Sequence, residues 1–230
     1  MNERPEPSNE ARQRWRLVVR RGDDARDLAH REIEAAWESG LARTTLPVAV
    51  TGAARRRPRL VFGAPVPVGV TAERELLDLY LSRRLTIAEV RQALAEALPP
   101  GHILVELHDV WLGEASVTGR VIAADYRVEL DGPVEPLVDA VAMLLAAARL
   151  PRPGRKGDAA KAYDLRPLIV SLGVEASPSA GAVMRMRLRH QPEGANGRPD
   201  EVLSALGEAT GVELRPRAVV REQLVLAGEA

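Results

Sequence analysis

Cysteine is absent from this chain, and aromatic residues make up 3% of it, with a single phenylalanine, Phe62. Without cysteine there is no disulfide, no thiolate nucleophile, no Cys-based zinc site and no Cys-ligated iron–sulfur cluster. Lysine is nearly missing as well: Lys156 and Lys161 are the only two among 32 basic residues. The positive charge is therefore arginine, which grips phosphate or carboxylate in a bidentate way where it is presented. A long hydrophobic run is also lacking. The best candidate, Val138 to Leu150, follows Glu135, contains Asp139 and Arg149, and is too short to span a bilayer. Residues 1–16 are polar and hold no signal-peptide core. These absences predict a cytoplasmic protein without membrane association. No phosphate loop is present, since Gly63 to Gly69 has neither the Gly-x-Gly-x-x-Gly spacing nor a lysine. Of the four histidines, His102 and His108 share a strand face by parity, but at ~3.3 Å per residue they stand about 20 Å apart. With no His-x-x-x-His and no carboxylate cluster beside them, no metal site and no cofactor is expected.

What is present is globular: 46% hydrophobic and 28% charged over 230 residues, with 32 basic and 32 acidic side chains. The charge is unevenly spread, at +4 over residues 1–60, −6 over 61–150 and +2 over 151–230. A uniform polyanion-binding surface is excluded, while local basic patches are not.

Residues 1–12 read as a disordered lead-in. Trp15, Leu17 and Val19 alternate with Arg14, Arg16 and Arg20, which predicts a half-buried strand. Gly22-Asp23-Asp24 turns the chain, and Asp24 is expected to cap a helix with Ala29, Ile33, Ala36 and Trp37 at helical spacing. Val48 to Val50 is a short strand. The stretch Arg57 to Val70, with three prolines and two glycines, reads as an edge strand and rigid turn, because Pro65 and Pro67 cannot donate to a ladder. Leu76 to Ser82 is a strand. Thr86-Ile87-Ala88-Glu89 is a capping box that opens a helix expected to bury Ile87, Val90, Leu94 and Ala97. His102 to Trp111 is a further strand.

Residues 113–124 look like a connector, and then the order repeats. Tyr126 and Val128 mark a strand, Pro133 opens a helix to about Leu150, Leu165 to Val174 and Ala182 to His190 are strands, Asp200 to Ala209 is a helix, and Glu213 to Leu226 is the last strand. Glu89-Val90, Ala93-Leu94 and Glu96-Ala97 recur 112 residues later as Glu201-Val202, Ala205-Leu206 and Glu208-Ala209, and Trp15-Arg16-Leu17 recurs 111 residues later as Tyr126-Arg127-Val128. The expected fold is α+β, two tandem ferredoxin-like (split β-α-β) domains at 13–112 and 125–227.

Candidate binding residues follow from alternation. Met184, Met186 and Leu188 point one way along their strand; Arg185, Arg187 and Arg189 point the other. Arg215, Arg217 and Arg221 alternate likewise in the last strand, so the uncovered face of the second sheet should show a field of arginines. Such a field suits an RNA backbone or an acidic protein. It has no aromatics, which argues against base-specific readout. Two further basic clusters are Arg55, Arg56, Arg57 and Arg59, and the loop residues Arg152, Arg155, Lys156 and Lys161. His30 with Glu32 is a weak candidate acid–base pair, since positions i and i+2 of a helix point apart.

Arg57 to Val70 and Glu75 to Leu79 resemble the signature segment of the radical SAM-linked family of uncharacterised bacterial proteins. Ala124 to Val128, Tyr163 to Ile169 and Arg198 to Leu203 resemble that family in the same order. Its members occur beside, or fused to, radical SAM enzymes, some near ribonuclease E/G and ribosomal protein genes. The resemblance implies a non-catalytic accessory or adaptor protein with a radical SAM enzyme as partner, presenting an RNA substrate. A standalone RNA-binding protein in RNA processing or ribosome assembly, and an RNA-processing enzyme using His30, are the other readings. The chain departs from the family at Ala29-His30-Arg31-Glu32 and at Ala53 to Pro58, where His30, an acid at Glu32 and Pro58 are what remain of the family's pattern.

Overall fold

The computed structural model describes residues 10–52, 56–154, 162–191 and 195–228. The chain is an α+β protein that divides into two compact units, Met1–Arg120 and Val121–Ala230.

Unit 1 runs β1 (Gln13–Arg21), a 3-10 turn (Asp23–Ala25), α1 (His30–Ala42), a small hairpin of β2 (Val50–Thr51) and β3 (Arg57–Pro58), β4 (Leu60–Phe62), β5 (Thr71–Leu81), α2 (Ile87–Ala97), β6 (His102–Val110) and the single helical turn α3 (Val117–Arg120). Its sheet has the order β4-β5-β1-β6, with antiparallel neighbours throughout. Trp15, Leu17 and Val19 of β1 pack with Leu77, Leu79 and Leu81 of β5 against Ile33 and Trp37 of α1 and Val90 and Leu94 of α2. The helices meet at Gly40, where a Cβ would lie 1.9 Å from the carbonyl oxygen of Ala97, so no larger residue fits this crossing. The capping box at the start of α2 forms: Thr86 accepts the Glu89 amide, and the Glu89 carboxylate accepts the Thr86 amide at 2.7 Å. Val90, Leu94 and Ala97 are buried as expected, but Ile87, in the first turn, is exposed.

The sequence expectation for β1 needs correction. Its polar face is not open. Arg14 and Arg16 are buried, and Arg20 is the exposed arginine of the strand. The reason lies in residues 111–120, whose backbone the buried charges hold. The Arg14 guanidinium donates to the carbonyls of Trp111 and Glu114 at 2.7 and 3.0 Å. Asp78 on β5 accepts two N–H bonds from Arg16, at 2.8 and 3.1 Å, and the amide of Val117 at 2.9 Å. The expected 113–124 connector therefore holds α3 and the first residues of the next strand.

The proline-rich stretch keeps its pairing brief. β4 pairs only residues 60–62 with β5, and Pro65 and Pro67 fall in the following loop. Gly69 has φ +82°, a conformation L side chains rarely adopt, and its amide donates to the Arg26 carbonyl.

Unit 2 runs β7 (Val121–Leu130), α4 (Glu135–Ala146), a hairpin of β8 (Pro151–Arg152) and β9 (Tyr163–Asp164), a 3-10 turn (Arg166–Leu168), β10 (Ile169–Ser177), β11 (Gly181–Arg189), α5 (Pro199–Thr210) and β12 (Pro216–Leu226). Its sheet has the order β10-β11-β7-β12, again antiparallel. Two elements are shorter than expected. α4 stops at Ala146, where Ala147 turns extended, and the strand expected from Leu165 begins at Ile169 because the segment around Pro167 coils into the 3-10 turn. Along β11 the alternation holds, with Met184, Met186 and Leu188 in the core. Among the described residues no helix is long and apolar enough to cross a membrane.

Candidate binding surfaces

The arginines expected on the unit 2 sheet are all engaged. Arg187 on β11 forms a bidentate pair with Asp125 on β7, at 2.7 and 2.9 Å. Arg185 donates to Glu222 at 2.7 Å and lies 3.5 Å from Glu175. Arg217 donates to Glu129 at 2.8 Å and to the Ser179 carbonyl at 2.7 Å. Arg127 bridges Glu129 and Glu222. Arg189 reaches the Pro167 carbonyl, and Arg215 pairs with its neighbour Glu213. The face is thus a lattice of alternating charge rather than a positive field. Burial pushes the Asp125 carboxyl up, but the hydrogen bonds from Arg187 and Gln223 outweigh it and hold the group below its ordinary range. Arg217 likewise holds Glu129 low. Arg221 does not share this surface. The irregularity between Pro216 and Ala218 shifts the parity of β12, so Arg221 falls opposite Tyr126 and is buried.

The first basic cluster separates in space. Arg55 lies outside the described residues, and Arg56 is exposed. Arg57 stands 3.9 Å from Glu38 on α1, in a polar groove with Arg31 and Glu34. Arg59 stacks on the Tyr80 ring at 3.9 Å. In the loop cluster, Arg155, Lys156 and Lys161 lie outside the described residues, while Arg152 is buried and bound to Glu208 at 2.7 Å.

His30 is the first residue of α1. Its Nε2 lies 3.3 Å from Glu34, one turn on, and its ring meets Phe62 edge to face at 5.1 Å. Glu32 does not join it. That carboxylate accepts the Ala29 backbone N–H at 2.7 Å and serves as the helix cap in place of the expected Asp24, which lies in the 3-10 turn five residues earlier. Residues that the sequence keeps far apart come together next to His30. α1 contributes His30 and Trp37, β4 contributes Phe62, β5 contributes Glu75 and β6 contributes His102, around a cleft of about 340 Å³ including its open mouth. The ring of His102 meets Trp37 at 5.9 Å and its Nδ1 lies 3.0 Å from the Pro100 carbonyl. Burial, with the nearby charge of Arg21, pushes the His102 pKa down. No sequence signal brings His30 and His102 to one cleft, because the sheet order and not local spacing sets them there.

A second surface is apolar. β6 is an edge strand of the unit 1 sheet; Ile103 and Val105 on it are exposed, and Trp111 just beyond it is 77% exposed. A Cβ at Gly113 would lie 2.5 Å from Cζ2 of Trp111, so the indole rests on glycine backbone. On the same strand, hydrogen bonds from Arg74 of β5 and then from His108 lower the pKa of the Glu106 carboxyl to about 2. Among the described residues no group of three or more His, Asp or Glu side chains is placed to hold a metal ion.

An α+β chain with an ion-paired sheet, an aromatic cleft and an apolar edge is the class these features define. The chain belongs to a bacterial family described as an uncharacterized protein conserved in bacteria, DUF2344, which it matches over residues 14–199. No curated protein matches it. Among solved structures, one similar chain belongs to a Cbf5-Nop10-Gar1 complex, at TM-score 0.50 and 11% identity, over 90% of this chain and 48% of that one. The likeness is one of fold alone, and this chain spans about half the length of its counterpart. An unknown protein from Galdieria sulphuraria aligns at 18% identity over 93% of this chain and 98% of that one, but its TM-score of 0.26 carries no structural argument.

Proposed function

We propose that the chain is a non-catalytic accessory or adaptor protein of the cytoplasm, built of two ferredoxin-like domains, that docks onto a radical SAM enzyme. The fold reading is supported by the shared element order β-α-β-β-α-β, counting the long strands with β4, and by the sheet orders β4-β5-β1-β6 and β10-β11-β7-β12, in which the first strand of each unit lies between the third and the fourth. The partner is the one implied by the resemblance of Arg57 to Val70.

The observation that carries docking is the edge of unit 1. An exposed strand edge offers backbone groups to a partner strand. Here it carries Ile103 and Val105 and ends at a tryptophan held in place on Gly113. Tryptophan is the side chain most enriched at interface hot spots, and holding it in place beforehand lowers the entropy lost on binding.

The test is a native-lysate pull-down with the full chain as bait, scored for radical SAM proteins by mass spectrometry. The enzyme is expected with the parent chain and depleted about tenfold or more with Trp111→Ser, matching a hot-spot loss of ~2 kcal/mol. Recovery of no radical SAM protein, or equal recovery by both baits, rejects the proposal.

The RNA readings gain nothing from the unit 2 sheet. A phosphate backbone would have to displace Asp125, Glu129 and Glu222 from the arginines they already hold. The reading of His30 as an acid–base catalyst loses its partner, since Glu32 caps the helix.

A further inference from the structure

Three guanidinium groups of unit 1 converge on one carboxylate, and the docking proposal does not use them. Glu114, in the segment that covers this part of the sheet, is paired with Arg120 and lies 3.5 Å from Arg16 and 4.0 Å from Arg14. Asp78 holds the same two strand arginines, at 3.7 Å from Arg14 and 2.8 Å from Arg16. These five groups carry three positive charges and two negative ones. Among the described residues no further acid lies within ion-pair distance of Arg14 or Arg16. The carbonyls of Trp111, Glu114 and Ala115 also accept from Arg14, but they are dipoles and leave the net charge as it is. Arg59 stacks on the Tyr80 ring, whose hydroxyl meets Arg14, and adds to the positive side.

The two acids are held differently. Asp78 has no exposed surface, takes Nε and Nη2 of Arg16 and accepts the Val117 amide, so it is a fixed part of the fold. Glu114 is 34% exposed, beside Arg14 at 1% and Arg16 at 9%. Its carboxylate is tight to Arg120 alone, since 3.5 and 4.0 Å exceed the roughly 2.7–2.9 Å of a charge-assisted hydrogen bond. Glu114 therefore stands on the solvent side of the cluster without saturating the two arginines beneath it. That arrangement selects a ligand. A cation is repelled by the net charge. A neutral molecule would part an ion pair and put no charge in its place. A carboxylate has two oxygens in one plane, which Glu114 already supplies. A phosphate group has three or more oxygens spread over a tetrahedron, one for each guanidinium, and arginine matches it in charge and geometry.

We propose that Arg14, Arg16 and Arg120 form a phosphate-binding site in which Glu114 is the internal occupant, and that a phosphate group takes the place of the Glu114 carboxylate. The exchange leaves the Asp78–Val117 and Arg14–Trp111 bonds in place, so the covering segment stays on the sheet. It is independent of the docking reading, which uses the Trp111 ring and the β6 edge.

The test is a ¹⁵N–¹H titration of the full chain, following the backbone amides of residues 112–120. The probes are sodium phosphate, methyl phosphate and sodium acetate at neutral pH, each compared with sodium chloride at equal ionic strength to remove general screening. Phosphate is expected to shift these amides saturably, with Kd at or below about 10 mM. Glu114→Gln removes the competing charge and should tighten binding about tenfold or more. Arg120→Gln should weaken it by about tenfold, the scale of one charge-assisted hydrogen bond. Both replacements leave the buried Arg14 and Arg16 in place. Saturation by methyl phosphate identifies a phosphate ester as ligand; saturation by inorganic phosphate alone identifies the free anion. Amides that neither phosphate probe shifts saturably in the parent chain overturn the proposal. So does an affinity unchanged in a folded variant, or acetate binding as tight as that of phosphate.

Discussion

The two units carry the same order of elements, yet they treat the polar face of their sheets in opposite ways. In unit 1 the part of the face around Asp78 is closed. Residues 111–120 cover Arg14, Arg16 and Asp78, and Asp78 is left with no exposed surface. In unit 2 the matching face stays accessible, and Arg185, Arg187 and Arg217 reach solvent beside half-buried carboxylates. The chemistry is the same, arginine facing aspartate or glutamate across neighbouring strands, but the dielectric differs. A charge pair in water is worth little because solvent competes for both members. The same pair under a covering segment depends wholly on its partner, since the interior offers no other counter-charge.

The largest test of this contrast is Asp78→Ala. It leaves two buried guanidinium groups with Glu114 as the one carboxylate beside them among the described residues. The expected loss is about 3–5 kcal/mol of unit 1 stability, the usual cost of removing one member of a buried pair. Urea denaturation followed by tryptophan fluorescence measures it. A loss under ~1 kcal/mol would show that the covering segment lets water in and that the two faces are alike after all. The triple replacement Arg14→Met, Arg16→Met and Asp78→Leu sharpens the point. It should be less damaging than the single change, because no charge is left unpaired.

A smaller effect separates the helices that the sequence repeat aligns. Thr86 caps α2, whereas Arg198, 112 residues later, begins α5 without a side-chain cap and pairs with Asp200 instead. Thr86→Ala should cost about 1 kcal/mol. Arg198→Ala, read in the same denaturation experiment, should change stability by less than half of that, because only a surface ion pair is lost. Equal losses would mean that α5 has a cap of another kind.

Much of this architecture was legible in the residues. Period-two alternation in 182–190 placed Met184, Met186 and Leu188 in the core, and the Thr86–Glu89 box located the start of α2. What alternation cannot say is whether a polar face will be covered. Arg14 and Arg187 sit in strands with the same pattern, and the difference comes from a segment nearly a hundred residues after Arg14. Strand irregularities were equally silent: the break between Pro216 and Ala218 in β12 moved Arg221 from the expected open face to the interior. Function was less legible than fold for the same reason. His30 looked like the survivor of a local pair with Glu32, while its cleft neighbours, Phe62 and His102, come from strands set beside α1 only by the sheet order.

The effect at Arg187 is also small, and it tests the open face directly. Arg187→Ala removes a bidentate partner from Asp125 in a pair that solvent reaches, so the loss at neutral pH should stay at or below ~1 kcal/mol. Its pH dependence has a definite sign. The folded-state pKa of Asp125 lies below its ordinary value, near 3.9 in unfolded chains. The unfolded state therefore binds the proton first as pH falls, and the stabilisation is complete above about pH 4 and fades as pH drops through the lower folded value. Stability curves of parent and Arg187→Ala should accordingly lie a small, constant distance apart from pH 7 to about pH 5, then converge below pH 4. Curves that stay parallel to the most acidic pH at which both chains fold would mean that Arg187 acts through packing of its stem and not through the charge of Asp125. A separation of 3 kcal/mol or more at pH 7 would mean that this pair is as dry as Asp78, and the contrast between the two faces would be gone.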